Sequence, residues 1–133
     1  ETEKEFKKEW KENFNKNNKK RINLKLIIEI NSEPAGVISL RSTDEYNLTK
    51  ATISYWIGKK HRNKGITTSA LKLFTNYAFK NLRLVRIQAN VRTFNKSSAR
   101  VLEKAGYKLE GIRRKNVLKN GKFYDDFLYA KVK

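Results

Sequence analysis

The spacing of apolar positions changes period along this chain, and each period predicts a different element. Phe6, Trp10 and Phe14 stand four apart among charges, so residues 3–14 are predicted to form an amphipathic helix followed by a polar loop over 15–21. Leu24, Leu26, Ile28 and Ile30 then alternate with Lys25, Ile27 and Glu29, the period-two pattern of a strand. A turn at Asn31-Ser32-Glu33-Pro34 leads to a second strand over 35–40, a second turn falls at 44–47, and 49–57 reads as a third strand. From Gly65 the period becomes helical, with Ile66, Ala70, Phe74, Tyr77 and Ala78 on one side of a helix over 65–79. A strand over 85–91 follows, which a right-handed crossover places parallel to 49–57. Asn95 caps a short helix over 96–104 that ends at Ala105-Gly106, and strands over 107–117 and 122–132 flank Asn120-Gly121, a strong hairpin signal. The predicted order is α-β-β-β-α-β-α-β-β, an α/β chain whose mixed sheet carries helices against it.

The composition supports one packed unit. In 133 residues, 38% hydrophobic side chains and fifteen aromatics are enough for a single core, which excludes a wholly disordered chain. One Pro, six Gly and no repeat or Gly/Ser-rich linker give no sign of a second domain, so 1–133 is read as one. The absence of Cys excludes disulfides, thiolate metal sites and a cysteine nucleophile, and a single His excludes most histidine-built metal sites. No apolar run reaches the roughly twenty residues of a membrane span. The chain therefore reads as soluble and cytoplasmic, without a membrane partner.

Charge adds a partner class. The net charge of +18 points to an anion: nucleic acid, a phosphate-rich cofactor or an acidic protein. The excess is uneven, with 15 basic against 9 acidic groups in residues 1–66 and 16 against 4 in residues 67–133. A Lys- and Asn-rich composition is the plainer explanation for part of it.

The chemistry concentrates where the third strand gives way to a helix, at Tyr55-Trp56-Ile57-Gly58-Lys59-Lys60-His61-Arg62-Asn63-Lys64-Gly65-Ile66-Thr67-Thr68. A helix start exposes unpaired N–H groups and the positive end of its dipole, a ready site for phosphate, and Gly65 lets an anion approach closely. Arg62, Lys59, Lys60 and Lys64 add charge. Neither GxxxxGK[ST] nor GxGxxG is present, and a solvated basic turn is the alternative by spacing alone.

Arg62-Asn63-Lys64-Gly65-Ile66-Thr67 resembles the R/Q-x-x-G-x-G/A acetyl-CoA pyrophosphate loop of the GNAT family of N-acetyltransferases. Tyr55-Trp56-Ile57-Gly58 before it, and Asn95-x-x-Ser98-x-x-Val101-Leu102-Glu103-Lys104-x-Gly106-Tyr107-x-x-Glu110-Gly111 after it, resemble the RimJ/RimL branch, which acetylates protein N-termini. The resemblance covers about residues 20–133 and departs from the pattern at Thr67, where the family usually has Gly or Ala. It implies the GNAT fold: a mixed, mostly antiparallel sheet with a splayed parallel strand pair, flanked by helices. It also implies that an N-terminal strand and helix are missing ahead of residue 3, so that the chain is expected to be truncated and to lack one wall of its acceptor pocket.

The resemblance further implies acetyl transfer from acetyl-CoA to a primary amine, most naturally a protein N-terminus, by direct attack in a ternary complex. Cofactor-binding residues would then be Trp56, Ile57, Gly58, Arg62, Asn63, Lys64, Gly65, Ile66, Thr67, Thr68, Asn95, Arg100 and Lys104. Parallel strands that part at their C-terminal ends form the position where open α/β sheets hold ligands, and pantetheine amides would pair with the freed strand edge. The N–H of Ile57 or Gly58 would meet the oxyanion, and Asn95 a pantetheine amide. Plainer roles stand beside these, Asn95 as an N-cap and Arg100 and Lys104 as a wet helix face.

Many relatives place a Tyr seven residues after the Asn to protonate the leaving thiolate, but Leu102 stands there, so Ser98 is the expected acid, with a serine satisfied by its own helix as the alternative. No general base is evident: Val117 occupies the position where related enzymes carry Glu, His61 sits in the loop, and Glu110, Asp125, Tyr124 and Tyr129 read as surface carboxylates and strand aromatics. Two other functions remain. One is an RNA- or ribosome-binding module built on Arg113-Arg114-Lys115, Lys119, Lys122, Phe123 and Tyr124, although no RNP-like motif is present. The other is a small-molecule amine transferase, whose cationic acceptors a +18 surface would repel.

Overall fold

The computed structural model of the protein describes the backbone of residues 4–14, 20–43 and 48–133, and the side chains of 22–43 and 48–133. Its elements are β1 (Lys4–Phe14), β2 (Lys20–Ile30), β3 (Glu33–Ser42), β4 (Lys50–Ile57), a 3-10 turn (Lys59–His61), α1 (Ile66–Asn81), β5 (Arg86–Arg92), α2 (Lys96–Lys104), β6 (Lys108–Lys119) and β7 (Lys122–Val132). Among the described residues the strands form one seven-stranded sheet in the order β1-β2-β3-β4-β5-β7-β6, with β4 and β5 parallel and the other neighbours antiparallel. No helix among these residues is long and apolar enough to cross a membrane.

The helix expected over 3–14 is corrected: residues 4–14 are β1, laddered to β2 from Lys4↔Ile30 to Phe14↔Lys20. A spacing of four is a multiple of two, so Phe6, Trp10 and Phe14 satisfy a strand's alternation as well as a helix's. A complete antiparallel partner supplies every second backbone bond along β2's open edge, which outweighs a weak local preference. Of the predicted loop over 15–21, residues 15–19 lie outside the described residues and Lys20 and Arg21 open β2; the turn at 44–47 also lies outside them. The hairpins follow local chemistry. Asn31 and Ser32 have φ of 52° and 66°, and Asn120 and Gly121 of 52° and 75°, the double positive φ of two-residue turns that match strand twist.

The core lies on one face of the sheet. Leu26 pairs Ile38, Leu40 pairs Ile53 and Ala51 pairs Ile87, all buried, so the register carries one apolar stripe across four strands. Phe74, Leu71 and Ala70 of α1 and Leu102 and Ala99 of α2 close over it. Within this core Thr75 Oγ1 and Tyr107 Oη lie 2.7 Å apart and tie α1 to the start of β6, and burial pushes the Tyr107 phenol up to about 12. Tyr107→Phe should therefore cost about 1–3 kcal/mol by stranding the Thr75 hydroxyl, whereas Tyr107→Phe with Thr75→Val should recover part of the loss. Urea unfolding of the two variants checks this, and equal losses would refute it. Because the folded-state pKa is the higher one, the native state favours the neutral phenol. Its contribution is full below about 10 and declines as pH rises toward 12.

The site is positioned by where strands part. β4 and β5 pair only over Lys50↔Arg86, Ala51↔Ile87 and Thr52↔Gln88. Beyond that point β4 stays with β3 as far as Gly36↔Ile57, while β5 follows β7 to Arg92↔Asp126. Gly36 permits the first course, because a Cβ there would lie 2.3 Å from the Trp56 carbonyl oxygen.

Candidate active site: the cleft between β4 and β5

A cleft of about 740 Å³ opens where the two strands separate, walled by the end of β4, the loop entering α1 and the first two turns of α2. Five cations line it, Arg62, Lys64, Lys96, Arg100 and Lys104, and no carboxylate does among the described residues. The loop supplies directed donors as well. Gly65 is the N-cap of α1 with φ 71°, it offers no side-chain cap, and the first helical bond runs from Ser69 N–H to its carbonyl. The N–H groups of Ile66, Thr67 and Thr68 therefore precede the helical ladder, and with Asn63 also at positive φ the loop forms a concave nest of amides suited to an anion. Arg62 Nε donates to the Ile57 carbonyl at 3.3 Å and ties this loop to the tip of β4.

At the inner end the backbone phase matters. Gly58 N–H donates to the Ala35 carbonyl at 2.7 Å, so of the two residues considered for an oxyanion, Gly58 has spent its donor. Antiparallel positions alternate between bonded and non-bonded, which places Ile57, opposite Gly36, in the other phase. Its N–H turns away from β3 into the gap that β5 leaves.

The α2 wall is built from the cap upward. Asn95 Oδ1 accepts from Ser98 N–H at 3.2 Å and from Ser97 Oγ at 3.1 Å, so the capping role is real and only the Asn95 amide NH₂ remains for a ligand. Ser98 Oγ lies 2.7 Å from Tyr55 Oη, which also reaches the Ser98 carbonyl at 3.2 Å. Burial pushes the Tyr55 phenol up, and its bond to Ser98 partly offsets that. Leu102 is fully buried in the core.

Of the residues singled out from sequence, Trp56, Ile57, Arg62, Asn63, Lys64, Gly65, Thr67, Thr68, Asn95, Ser98, Arg100 and Lys104 line this cleft, and two do not. The Ile66 side chain is 5% exposed and belongs to the core, leaving only its N–H at the helix start. Gly58 lies with His61 along a shallower groove beside β3. Sequence reasoning missed Tyr55, Lys96, Ser97 and Val101. The positions 97, 100, 101 and 104 form an i, i+3, i+4, i+7 helical face, a signal already present around Arg100 and Lys104. Tyr55 opened the stretch singled out from sequence but was given no role there; it shares its strand face with Ala51 and Ile53, and nothing in its spacing announces a partner on α2.

The remaining candidates are engaged elsewhere. Glu110 forms a two-point pair with Arg86 (2.7 and 2.9 Å), whose hydrogen bonds hold its carboxyl below the usual range. Asp125 accepts from Lys115 N–H, Tyr129 donates to Glu103, and Tyr124 meets Phe94 edge-on. Val117 lies on β6 opposite Tyr124. Asp126, not singled out, is buried between Arg92 and Asn116. On the basic hairpin, Lys115 and Lys122 ride over Phe123 and Tyr124 at 5.8 and 5.5 Å.

This architecture defines a class, a sheet whose one parallel pair among the described residues parts beside a helix N-terminus. The chain belongs to the acetyltransferase (GNAT) domain family, whose model matches residues 1–108. Bacillus subtilis YjcK, a probable N-acetyltransferase, is 46% identical over 95 residues, covering 71% of this chain and 52% of YjcK. The alanine N-acetyltransferase of ribosomal protein uS5 from Escherichia coli is 29% identical over 98 residues, covering 74% and 50%. Among solved structures, Mycobacterium smegmatis RimJ in complex with CoA-disulfide is similar with a TM-score of 0.77 and 30% identity, over 83% of this chain and 53% of that one. The chain spans about half the length of the curated relatives it matches.

Proposed function

We propose that this chain carries the donor site of an N-acetyltransferase that moves acetyl from acetyl-CoA to a primary amine, most naturally the α-amine of a protein, by direct attack with donor and acceptor bound together. The observation that carries the reading is the cleft itself, lined by five cations and no described carboxylate, which leads from the amide nest at Gly65 to the outward-turned N–H of Ile57 at the end of β4. That wall fits a pyrophosphate at its mouth and a thioester at its inner end. RimJ is solved with CoA-disulfide, and the Escherichia coli relative is an alanine N-acetyltransferase of ribosomal protein uS5, which supports a CoA-based donor and a protein amine as acceptor.

Acetyl-CoA, when bound, supplies the thioester carbonyl that the amine attacks. The nest, with Arg62 and Lys64, holds the pyrophosphate by N–H donors and charge. Asn95 keeps one face of its amide for the pantetheine, and the β4 edge freed by β5 offers backbone partners. The Ile57 N–H is aimed where negative charge develops on the carbonyl oxygen, a donor worth about 3 kcal/mol in comparable sites. Ser98, whose hydroxyl lines the same cleft, would supply a proton to the leaving sulfur. Ser98→Ala is expected to lower kcat by about tenfold while KM for acetyl-CoA stays within about twofold, since the hydroxyl serves the leaving step more than binding. Steady-state kinetics, with chemistry shown to limit the rate, makes the measurement; a rise in KM at constant kcat would reassign Ser98 to binding alone.

A further inference from the structure

Three hydroxyls, two on α2 and one on β4, meet in the cleft, and their bonds differ. Ser97 Oγ is committed to Asn95 Oδ1 at 3.1 Å. Ser98 Oγ makes its contact across the cleft, to a phenol 43 residues away on β4. That phenol, Tyr55 Oη, has two acceptors within reach, Ser98 Oγ at 2.7 Å and the Ser98 carbonyl at 3.2 Å, and a single hydrogen to give. If it donates to the carbonyl, the serine hydrogen points back at the phenol. If it donates to Oγ, the serine hydrogen is excluded from that direction and must turn into the cleft. The Oγ contact is the shorter of the two and so the better place for the phenol hydrogen.

We propose that Tyr55 is a positioning residue for the leaving sulfur: its hydroxyl, bonded to Ser98 Oγ, turns the serine hydrogen into the cleft and replaces it once it is given up. The inference rests on the acetyl-CoA reading above and adds a residue to it. As the carbonyl carbon–sulfur bond breaks, its electron pair stays on sulfur. Sulfur takes the Ser98 proton, Ser98 takes the Tyr55 proton, and water, which receives the proton shed by the acylated nitrogen, returns one to Tyr55. The net change moves one proton from nitrogen to sulfur. Burial, which disfavours the phenolate, keeps the Tyr55 hydroxyl protonated at rest. Leu102 cannot share the task, because its side chain is wholly within the core.

The test needs no acceptor amine. A hydroxyl that donates to the sulfur stabilises the thiolate of bound CoA and so lowers its thiol pKa, which ultraviolet thiolate absorbance reports in a pH titration. Arg62 and Lys64 from the loop, and Lys96, Arg100 and Lys104 from α2, also face this cleft, so only variants that keep all five are compared. Tyr55→Phe keeps the ring, and Ser98→Ala removes one oxygen. The bound thiol is expected to titrate about one unit higher in Tyr55→Phe than in the unaltered chain, a tenfold change in its ionisation constant. Ser98→Ala should show a similar rise, and the double variant no further one, because Tyr55 acts through Ser98. CoA affinity by calorimetry should stay within about twofold in all three.

A Tyr55→Phe titration that coincides with the unaltered chain overturns the proposal, as does an effect that adds to that of Ser98→Ala, or a change in CoA affinity with no change in thiol pKa. Failure of the unaltered chain to bind CoA overturns the acetyl-CoA reading itself, and this inference with it.

Discussion

Gly65→Asp should abolish measurable CoA binding while the protein stays folded. A Cβ built at Gly65 meets no protein atom within 4 Å, so nothing in the fold resists the side chain sterically. The φ of 71° costs a residue other than glycine about 1 kcal/mol, and Asp is among the side chains that tolerate this region best. Gly65 lines the cleft beside the unladdered N–H groups of Ile66, Thr67 and Thr68, which the proposed function assigns to the pyrophosphate. A carboxylate placed there satisfies those donors itself and repels a pyrophosphate, at about 4 kcal/mol for like unit charges about 4 Å apart near a surface. Even with half of that lost to screening, affinity falls by more than about 20-fold. Gly65→Ala separates the terms, since it carries the backbone strain without the charge and should weaken CoA far less. Calorimetry on both variants, with circular dichroism to establish folding, makes the comparison. A folded Gly65→Asp protein that binds CoA as before would remove the pyrophosphate from this loop.

At pH 7 the chain should acetylate a peptide α-amine in preference to a lysine side chain by about 100-fold or more in kcat/KM. An α-amine has a pKa of about 7.7–8.0 and lysine about 10.4, so the fractions present as free nucleophile differ by about 2.5 pH units, or about 3.4 kcal/mol. A dedicated base could offset this, but no described carboxylate lines the cleft, and Glu110 is held ionised by Arg86 well apart from it. The preference should narrow as pH rises toward 10, because lysine then deprotonates while the α-amine is already free. Paired peptides, one with a free α-amine and an acetylated lysine, the other reversed, give the answer by mass spectrometry across pH. A lysine preference at neutral pH would show that a strong base or a desolvating pocket exists that these residues do not reveal.

The sequence alone determined whatever depends on near neighbours. Leu24, Leu26, Ile28 and Ile30 specify a strand because period two puts all four on one face, which is buried. Asn120-Gly121 specifies its hairpin because the turn needs two positive φ values, and Asn95 and Gly106 bound α2 through bonds and backbone freedom within a few residues. The anion nest was legible for the same reason: a glycine-led helix start carries its own donors wherever the fold places it. Residues 4–14 were not, since an aromatic every fourth position suits both a helix and a strand, and the exposed edge of β2 made the choice.

The finer chemistry of the cleft depended on contacts between distant parts of the chain. Register with β3 consumed the Gly58 N–H and turned that of Ile57 outward, and Asp126 became buried only by meeting Arg92, 34 residues away, and Asn116. Tyr55 stands in the sequence only as the first residue of the junction where the third strand gives way to a helix, with no role of its own. Its hydroxyl acquires a role only when the crossover through α1 and β5 brings Ser98 against it, because a hydrogen bond of 2.7 Å is set by the three-dimensional path of the chain and leaves no trace in the spacing of 43 residues between its partners.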